Sequence, residues 1–305
     1  MSKAPRSYFI WGILICLAGA ICFSTKAIFV KLAYRDTAIE AVPLLALRMI
    51  FALPFFVISA FISSSQSSNI RFTPRQWLYV AVLGCLGYYV SSLLDFIGLQ
   101  YVSAGIERLI LFVYPTMVLL ISAILFRTRV APYQWVAVAI TYIGLFIAFS
   151  AEMKLEGIYT SEFYFGAFMI FGCAITYALY IVGSGRLIPV VGASKFNSYA
   201  MTIACIAVLL HYFVTSDQSL FTFTPLVYVY SFSMALLATV IPSYLVSEGI
   251  KRIGSGNAAI VGSVGPVSTI IQANIFLDEP ILALQIAGTA LILSGVLLIG
   301  RGKQI

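Results

Sequence analysis

Five charged side chains stand inside apolar stretches of the chain: Lys26, Arg48, Asp95, Glu107 and Arg108. A charge at the centre of a membrane helix costs about 2.5–3.5 kcal/mol on insertion scales, so each needs a partner or a task. Arg48 or Arg108 facing Asp95 or Glu107 lowers that cost and builds a polar wall or gate on a solute path. A static ion pair uses the same residues equally well, and Glu107 also suits a helix N-terminus. Lys26 offers a cation to a carboxylate or phosphate, or else snorkels to water. Asp95, Glu107 and Glu248 are the acids placed for proton coupling. Glu248, beside Lys251 and Arg252, equally fits a solvated helix end.

Tyrosines supply a second set of polar groups. Tyr88, Tyr89, Tyr114, Tyr177, Tyr180 and Tyr244 fall in mid-stretch. A buried phenol wants a hydrogen-bond partner or a wet cavity, and its ring gives a stacking surface. Pro115 and Pro266 remove backbone donors, and Gly262, Ser263 and Gly265 loosen the chain ahead of the second proline. These features predict two kinked helices that line a path and flex, or two static kinks that serve packing.

Other chemistry is poorly provided for. His211 is the one histidine, and Cys16, Cys22, Cys85, Cys173 and Cys205 never stand at C-x-x-C spacing, so no metal and no cofactor are expected. No G-x-x-x-x-G-K-[ST] loop is present to bind ATP phosphates. No nucleophile–base pair supports an intramembrane enzyme. An ion or solute channel would carry rings of charge repeated by symmetry, which the two halves lack. The net charge of +7 is spread in ones and twos between apolar runs, so no nucleic-acid partner is expected.

These residues must be positioned by membrane helices. Apolar residues make up 61% of the chain and charged ones 10%, too few to coat a soluble protein. Ten apolar runs of membrane-crossing length are read at 9–32, 41–62, 77–99, 105–126, 132–150, 163–184, 197–215, 225–247, 256–277 and 281–300. Without period-two alternation they are helices rather than barrel strands. The long first run, which contains Lys26, reads as a retained span rather than a signal peptide. The longest loops are expected near 63–76, 151–162 and 185–196. With the N-terminus inside, twelve Lys and Arg lie inside, four outside and two within spans, which predicts both termini cytoplasmic.

The chain also resembles itself. At an offset of 151, Gly98, Gly105, Val113, Pro115, Ile124, Gln134, Ala139 and Gly144 fall on Gly249, Gly256, Val264, Pro266, Ile275, Gln285, Ala290 and Gly295 without a gap. At an offset of 154, Gly12, Ala20 and Ile21 fall on Gly166, Ala174 and Ile175. Two repeats of five helices, at 9–150 and 163–300, must enter the membrane from opposite sides because five is odd. That inverted repeat is the architecture of alternating access.

The run from Gly98 to Pro115 resembles the junction of the third and fourth spans in the drug/metabolite transporter superfamily, EamA family. The run from Gly254 to Pro266, followed by Leu277-Asp-Glu-Pro280, is similar to that family's second repeat. The resemblance implies an all-α membrane protein of ten helices, two EamA repeats and a central cavity. It also sets Arg48 at a position where the family pattern has an arginine. The expected function is secondary transport of a small organic metabolite, an amino acid or similar amphipathic solute, by an exporter or exchanger. The expected setting is a bacterial inner membrane, with the solute and the lipid bilayer as partners and a monomer or homodimer as the unit.

Overall fold

Helices follow one another with short breaks. The computed structural model describes residues 6–65, 71–127, 129–156, 160–262 and 264–300, and among the described residues there is no strand. In chain order the helices are α1 (Arg6–Asp36), α2 (Ala41–Ser65), α3 (Pro74–Gly84), α4 (Ser91–Gly98), α5 (Ala104–Leu111), α6 (Tyr114–Phe126), α7 (Pro132–Glu156), α8 (Ser161–Val191), α9 (Ala193–Thr215), α10 (Pro225–Ala235), α11 (Ile241–Gly262), α12 (Gly265–Leu277) and α13 (Ala283–Gly300). Two π-helical turns, Cys85–Val90 and Leu236–Val240, join α3 to α4 and α10 to α11. Among the described residues, seven helical stretches are long and apolar enough to cross a membrane: Ser7–Asp36, Ala41–Ser65, Pro74–Gly98, Ala104–Phe126, Ser161–Ile188, Ala193–Thr215 and Pro225–Val246. Shorter apolar helices cover Pro132–Ala148, Gly265–Leu277 and Ala283–Gly295.

Local sequence explains most boundaries. Thr73 starts α3 by a reciprocal capping box with Gln76, and Pro74 sits where its missing N–H is not needed. The loop expected at 185–196 is not there: α8 runs on to Val191, and Gly192 alone separates it from α9. The Gly-Ser-Gly at 183–185 reads as a breaker. Here it lets Leu83 close on Gly183, while Leu187 and Val191 bury against neighbouring helices and carry the helix forward. Gly192, at φ +87°, takes the turn that a side chain would strain. Likewise α7 continues to Glu156, into the loop expected at 151–162.

Pro115 and Pro266 do not kink continuous helices. Each lies in the first turn of a new helix, α6 or α12, after a break at 112–113 or at Val264. Proline is best tolerated there, so the break precedes it. Ser263 lies outside the described residues.

The two halves pack as equivalents. The π turns begin at Cys85 and Leu236, 151 residues apart, and the left-handed helix ends at Arg127 and Asp278 are separated by the same interval. Gly249 closes on Cys16 as Gly98 closes on Ile170, and Gly12 on Ile253 as Gly166 on Val102. Gly288 meets the Gly144 carbonyl, and Gly295 meets that of Ala137. Small residues at such crossings let helix backbones approach where no hydrophobic effect drives them together. Outward positions are apolar too, among them Ile58, Phe61, Phe146, Phe168 and Phe213. A bundle apolar both inside and outside has lipid, not water, as its solvent.

The helices set two ends. The start of α1 meets Arg252 and Ile253 at the proximal end. At the distal end, Lys31 donates to the Leu99 and Val102 carbonyls at 3.3 and 3.1 Å, and Asp36 accepts from Tyr230 at 2.6 Å.

Candidate functional site

Two-thirds of the way along α1, Lys26 points at two carboxylates. Its Nζ lies 2.7 Å from Asp95 Oδ2 and 3.1 Å from Glu107 Oε1. The Glu107 contact is a hydrogen bond, and Asp95 makes the shorter ion pair. Arg108 stands 3.8 Å from Glu107 Oε2 and donates to Thr269 Oγ1 at 3.0 Å and to the Phe23 carbonyl at 3.2 Å. Two cations and two anions thus sum to zero inside the bundle. The side chain of Lys26 is 15% exposed, against 1% for Asp95 and 0% for Glu107.

The pairing matches the expected one in part, since Arg108 faces Glu107. The arginines do not take Asp95; Lys26 takes it and shares Glu107 with Arg108. Arg48 instead donates from Nε to Thr239 Oγ1 at 2.9 Å, and its guanidinium lies 5.3 Å over the Phe96 ring. The long, flexible amine reaches both acids from a neighbouring helix, which the sequence spacing does not reveal.

The elements that aim these groups are irregular ones. α5, which carries Glu107 and Arg108, begins under a cap from Ser103 and under Glu279 of the second half. Glu279 accepts from the amides of Ala104 and Gly105 at 3.0 and 3.2 Å. A carboxylate there satisfies orphan donors and the helix dipole. The second π turn sets Thr239 to donate to the Met234 carbonyl at 3.1 Å while it receives Arg48. Across the gap between halves, Ser24 donates to the Gly265 carbonyl at 3.1 Å.

The tyrosines divide. The first π turn presents Tyr88 and Tyr89 to different partners. Tyr88 donates to Asn197 Oδ1 at 2.9 Å and meets the Tyr180 hydroxyl at 2.8 Å, with Gly87 packed against the Tyr180 ring. Tyr89 meets His211 Nδ1 at 3.0 Å, on the other side. Rings then run in contact from Tyr114 to Tyr177 (5.2 Å between centroids), to Tyr180 (5.8 Å) and to Phe196 (6.0 Å). Tyr114, Tyr177, Tyr180 and Tyr88 therefore form one aromatic run, and Tyr89 is not part of it. Tyr244 stacks on Phe56, and its hydroxyl is buried without a hydrogen-bond partner.

Glu248 lies toward the proximal end, 2.8 Å from Arg252 one turn on, and Arg252 covers Tyr8 at 4.9 Å. It does not join the Lys26 cluster. Gly265 and Pro266 are buried beside it, through Ser24 and Thr269. Pro115 opens α6 next to Tyr114. Two hollows lie away from these charges. One of about 710 Å³ sits among the distal loops, lined by Asp36, Thr37, Gln218 and Thr222, and an apolar one of about 480 Å³ lies between Phe146 and Phe168. Sequence reasoning missed Thr239 and Asn197, each a polar residue within an apolar helix. Glu279, in the Leu277–Pro280 run, caps a helix of the opposite half.

The EamA-like transporter family model matches residues 10–150 and 164–301. The chain belongs to this family. An uncharacterized transporter of Bacillus subtilis (strain 168), YcbK, is 33% identical over 287 residues, spanning 91% of this chain and 88% of that protein. An uncharacterized transporter of Synechocystis sp., sll1319, is 23% identical over 96% of this chain and 94% of its own length. An uncharacterized inner membrane transporter of Salmonella typhimurium, YicL, is 21% identical over 96% of both chains. One solved crystal structure shares the fold, with a TM-score of 0.68 at 17% identity, over 96% of this chain and 98% of the other. The EamA-like chain is thus a helical membrane protein of two repeats, related to transporters rather than to enzymes.

Proposed function

We propose that the protein is a secondary transporter that moves a small organic metabolite, an amino acid or similar amphipathic solute, by alternating access of ten spans in two inverted five-helix repeats. The observation that carries this reading is the neutral, buried cluster of Lys26, Asp95, Glu107 and Arg108 at the breaks ahead of α6 and α12. Charges this deep in lipid are retained for solute or ion pathways far more often than for stability. The breaks supply hinges, since a helix interrupted at equivalent places in both halves bends there first. Lys26, Arg48, Tyr88, Tyr114, Pro115, Tyr177, Tyr180, Gly265 and Pro266 line the path in this reading. Asp95, Glu107 and Arg108 gate or couple it, and Glu248 guards the proximal end. Tyr89, turned to His211, is given no part.

The direct test is solute counterflow in proteoliposomes preloaded with a panel of metabolites. Accumulation of labelled solute against an unlabelled load is expected for at least one class. Equal uptake by loaded and empty vesicles across the whole panel would sink the carrier reading.

Sidedness follows the Lys and Arg count, with both termini cytoplasmic in a bacterial inner membrane. A fluorescent-protein fusion at the C-terminus is then expected to glow and an alkaline phosphatase fusion to stay inactive. The opposite pattern at one terminus alone breaks the inverted-repeat assignment, and at both termini it overturns the sidedness.

A further inference from the structure

We infer that Asp95 and Glu107 form a cage for an alkylammonium group, that Lys26 fills it as a tethered occupant, and that the carried solute bears an ammonium which takes its place. The inference rests on the carrier reading and deepens it by naming the solute's charge-bearing group.

Geometry comes first. Two carboxylates from different helices converge on a single ammonium at 2.7 and 3.1 Å. They hold more acceptor capacity than Lys26 uses. Both Asp95 oxygens are buried without a hydrogen-bond partner, and Glu107 Oε2 has only the Arg108 charge at 3.8 Å. A primary ammonium brings three donors, and a better-centred one would reach an oxygen that Lys26 leaves idle.

Mobility comes second. Glu107 is fixed, on a helix start pinned by Ser103 and Glu279. Arg108 is tied to Thr269 and to the Phe23 carbonyl. Of the two cations, Lys26 has the unbranched, flexible stem and contacts nothing but the two acids through its Nζ among the described bonds. It is the member that can leave.

Charge balance comes third. With Lys26 withdrawn, Asp95, Glu107 and Arg108 sum to −1, so a monocation restores neutrality and an anion makes the imbalance worse. Lys26 is therefore spent on the carboxylates, which argues against the anion-binding role its position in the sequence allows. An exchange of one ammonium for another keeps the cage itself neutral, and the displaced Lys26 ammonium then goes to water, toward which its side chain is already 15% exposed. The aromatic run that starts at Tyr114, six residues beyond Arg108, offers ring faces to the rest of a cationic solute.

Chemical rescue tests this. Purified full-length Lys26→Ala in detergent is expected to unfold at a lower temperature than wild type. Ethylammonium chloride should recover half or more of that loss in a saturable way. Sodium chloride and tetraethylammonium chloride at equal ionic strength should not, and adding Asp95→Asn should remove the response. No recovery, equal recovery with sodium, or recovery that survives Asp95→Asn each overturns the cage. If Lys26→Ala does not assemble, wild-type protein answers instead: n-butylammonium should raise its unfolding temperature and n-butanol should not, and equal or absent shifts overturn the proposal. The two readings fail separately. Rescue without counterflow of any solute removes the carrier reading alone, and counterflow confined to solutes without an ammonium removes the cage's role in recognition.

Discussion

Single replacement of either Lys26 or Asp95 is expected to destabilise the protein severely, and replacement of both to restore much of the loss. Lys26→Met leaves Asp95, Glu107 and Arg108 with one negative charge in excess. Asp95→Asn leaves Lys26, Glu107 and Arg108 with one positive charge in excess. Neither excess has water to spread into, because Asp95 and Glu107 are 1% and 0% exposed. Breaking one side of a buried pair typically costs about 3–5 kcal/mol, a large share of a protein's total stability. The double variant Lys26→Met/Asp95→Asn is neutral, since Glu107 keeps Arg108 at 3.8 Å. Its stability should lie well above the sum of the single effects, with a coupling of about 0.5–3 kcal/mol. Unfolding in detergent followed by tryptophan fluorescence would read all four proteins. Additive losses would mean that the two side chains ignore each other. Transport should not return with stability, because the double variant has neither occupant nor full cage.

The second large effect is mechanical. Gly288→Val is expected to separate α7 from α13 and to lower the unfolding temperature in detergent strongly. A Cβ at Gly288 would lie 2.5 Å from the Gly144 carbonyl oxygen, 2.6 Å from the Ala148 Cβ and 2.8 Å from the Ala148 amide nitrogen. Two of those three atoms are backbone and cannot rotate away, so the helices themselves must move. Overpacking of this kind costs about 1–3 kcal/mol, more where backbones are in contact. The same contact, transposed by the repeat, recurs between Gly295 and the Ala137 carbonyl, so the pair fastens one half to the other at two points. Gly185→Ala makes the contrast. Gly185 lies in α8 with nothing within 4 Å of its added methyl, and alanine there should be neutral or stabilising by up to about 1 kcal/mol. Equal losses for the two variants would show that the α7–α13 approach carries no special weight.

The sequence told the class of fold and the places of the breaks, but less about what the breaks are. Apolar runs without alternation meant helices, and Pro115 and Pro266 marked where two helices give way. A proline signals interruption, yet whether a kinked helix or two helices result depends on what satisfies the chain around it. Here Val264 donates to the Val261 carbonyl and accepts from Ser268, so the chain turns directly from one helix into the next. The loop expected at 185–196 shows the opposite error. Glycine weakens a helix in isolation, but Leu83 needs the space at Gly183 and the buried Leu187 and Val191 hold the helix together. The two π turns had no readable signal, since nothing in the composition of Cys85–Val90 or Leu236–Val240 separates them from ordinary helix.

By itself the sequence determined that the chain lives in lipid, that it is built twice over, and that Lys26, Arg48, Asp95, Glu107 and Arg108 are the charges that need explaining. Burial of a charge in hydrocarbon is so unfavourable that mere placement within an apolar run singles it out. Which charge meets which was decided by tertiary structure alone. Lys26 and Asp95 are 69 residues apart and on helices whose rotation is fixed by packing of glycines such as Gly12, Gly98 and Gly249 against their neighbours. One-dimensional spacing gives the face of a helix only to within a turn. An ion pair is selected by a few ångströms, and only the assembled bundle sets distances that fine.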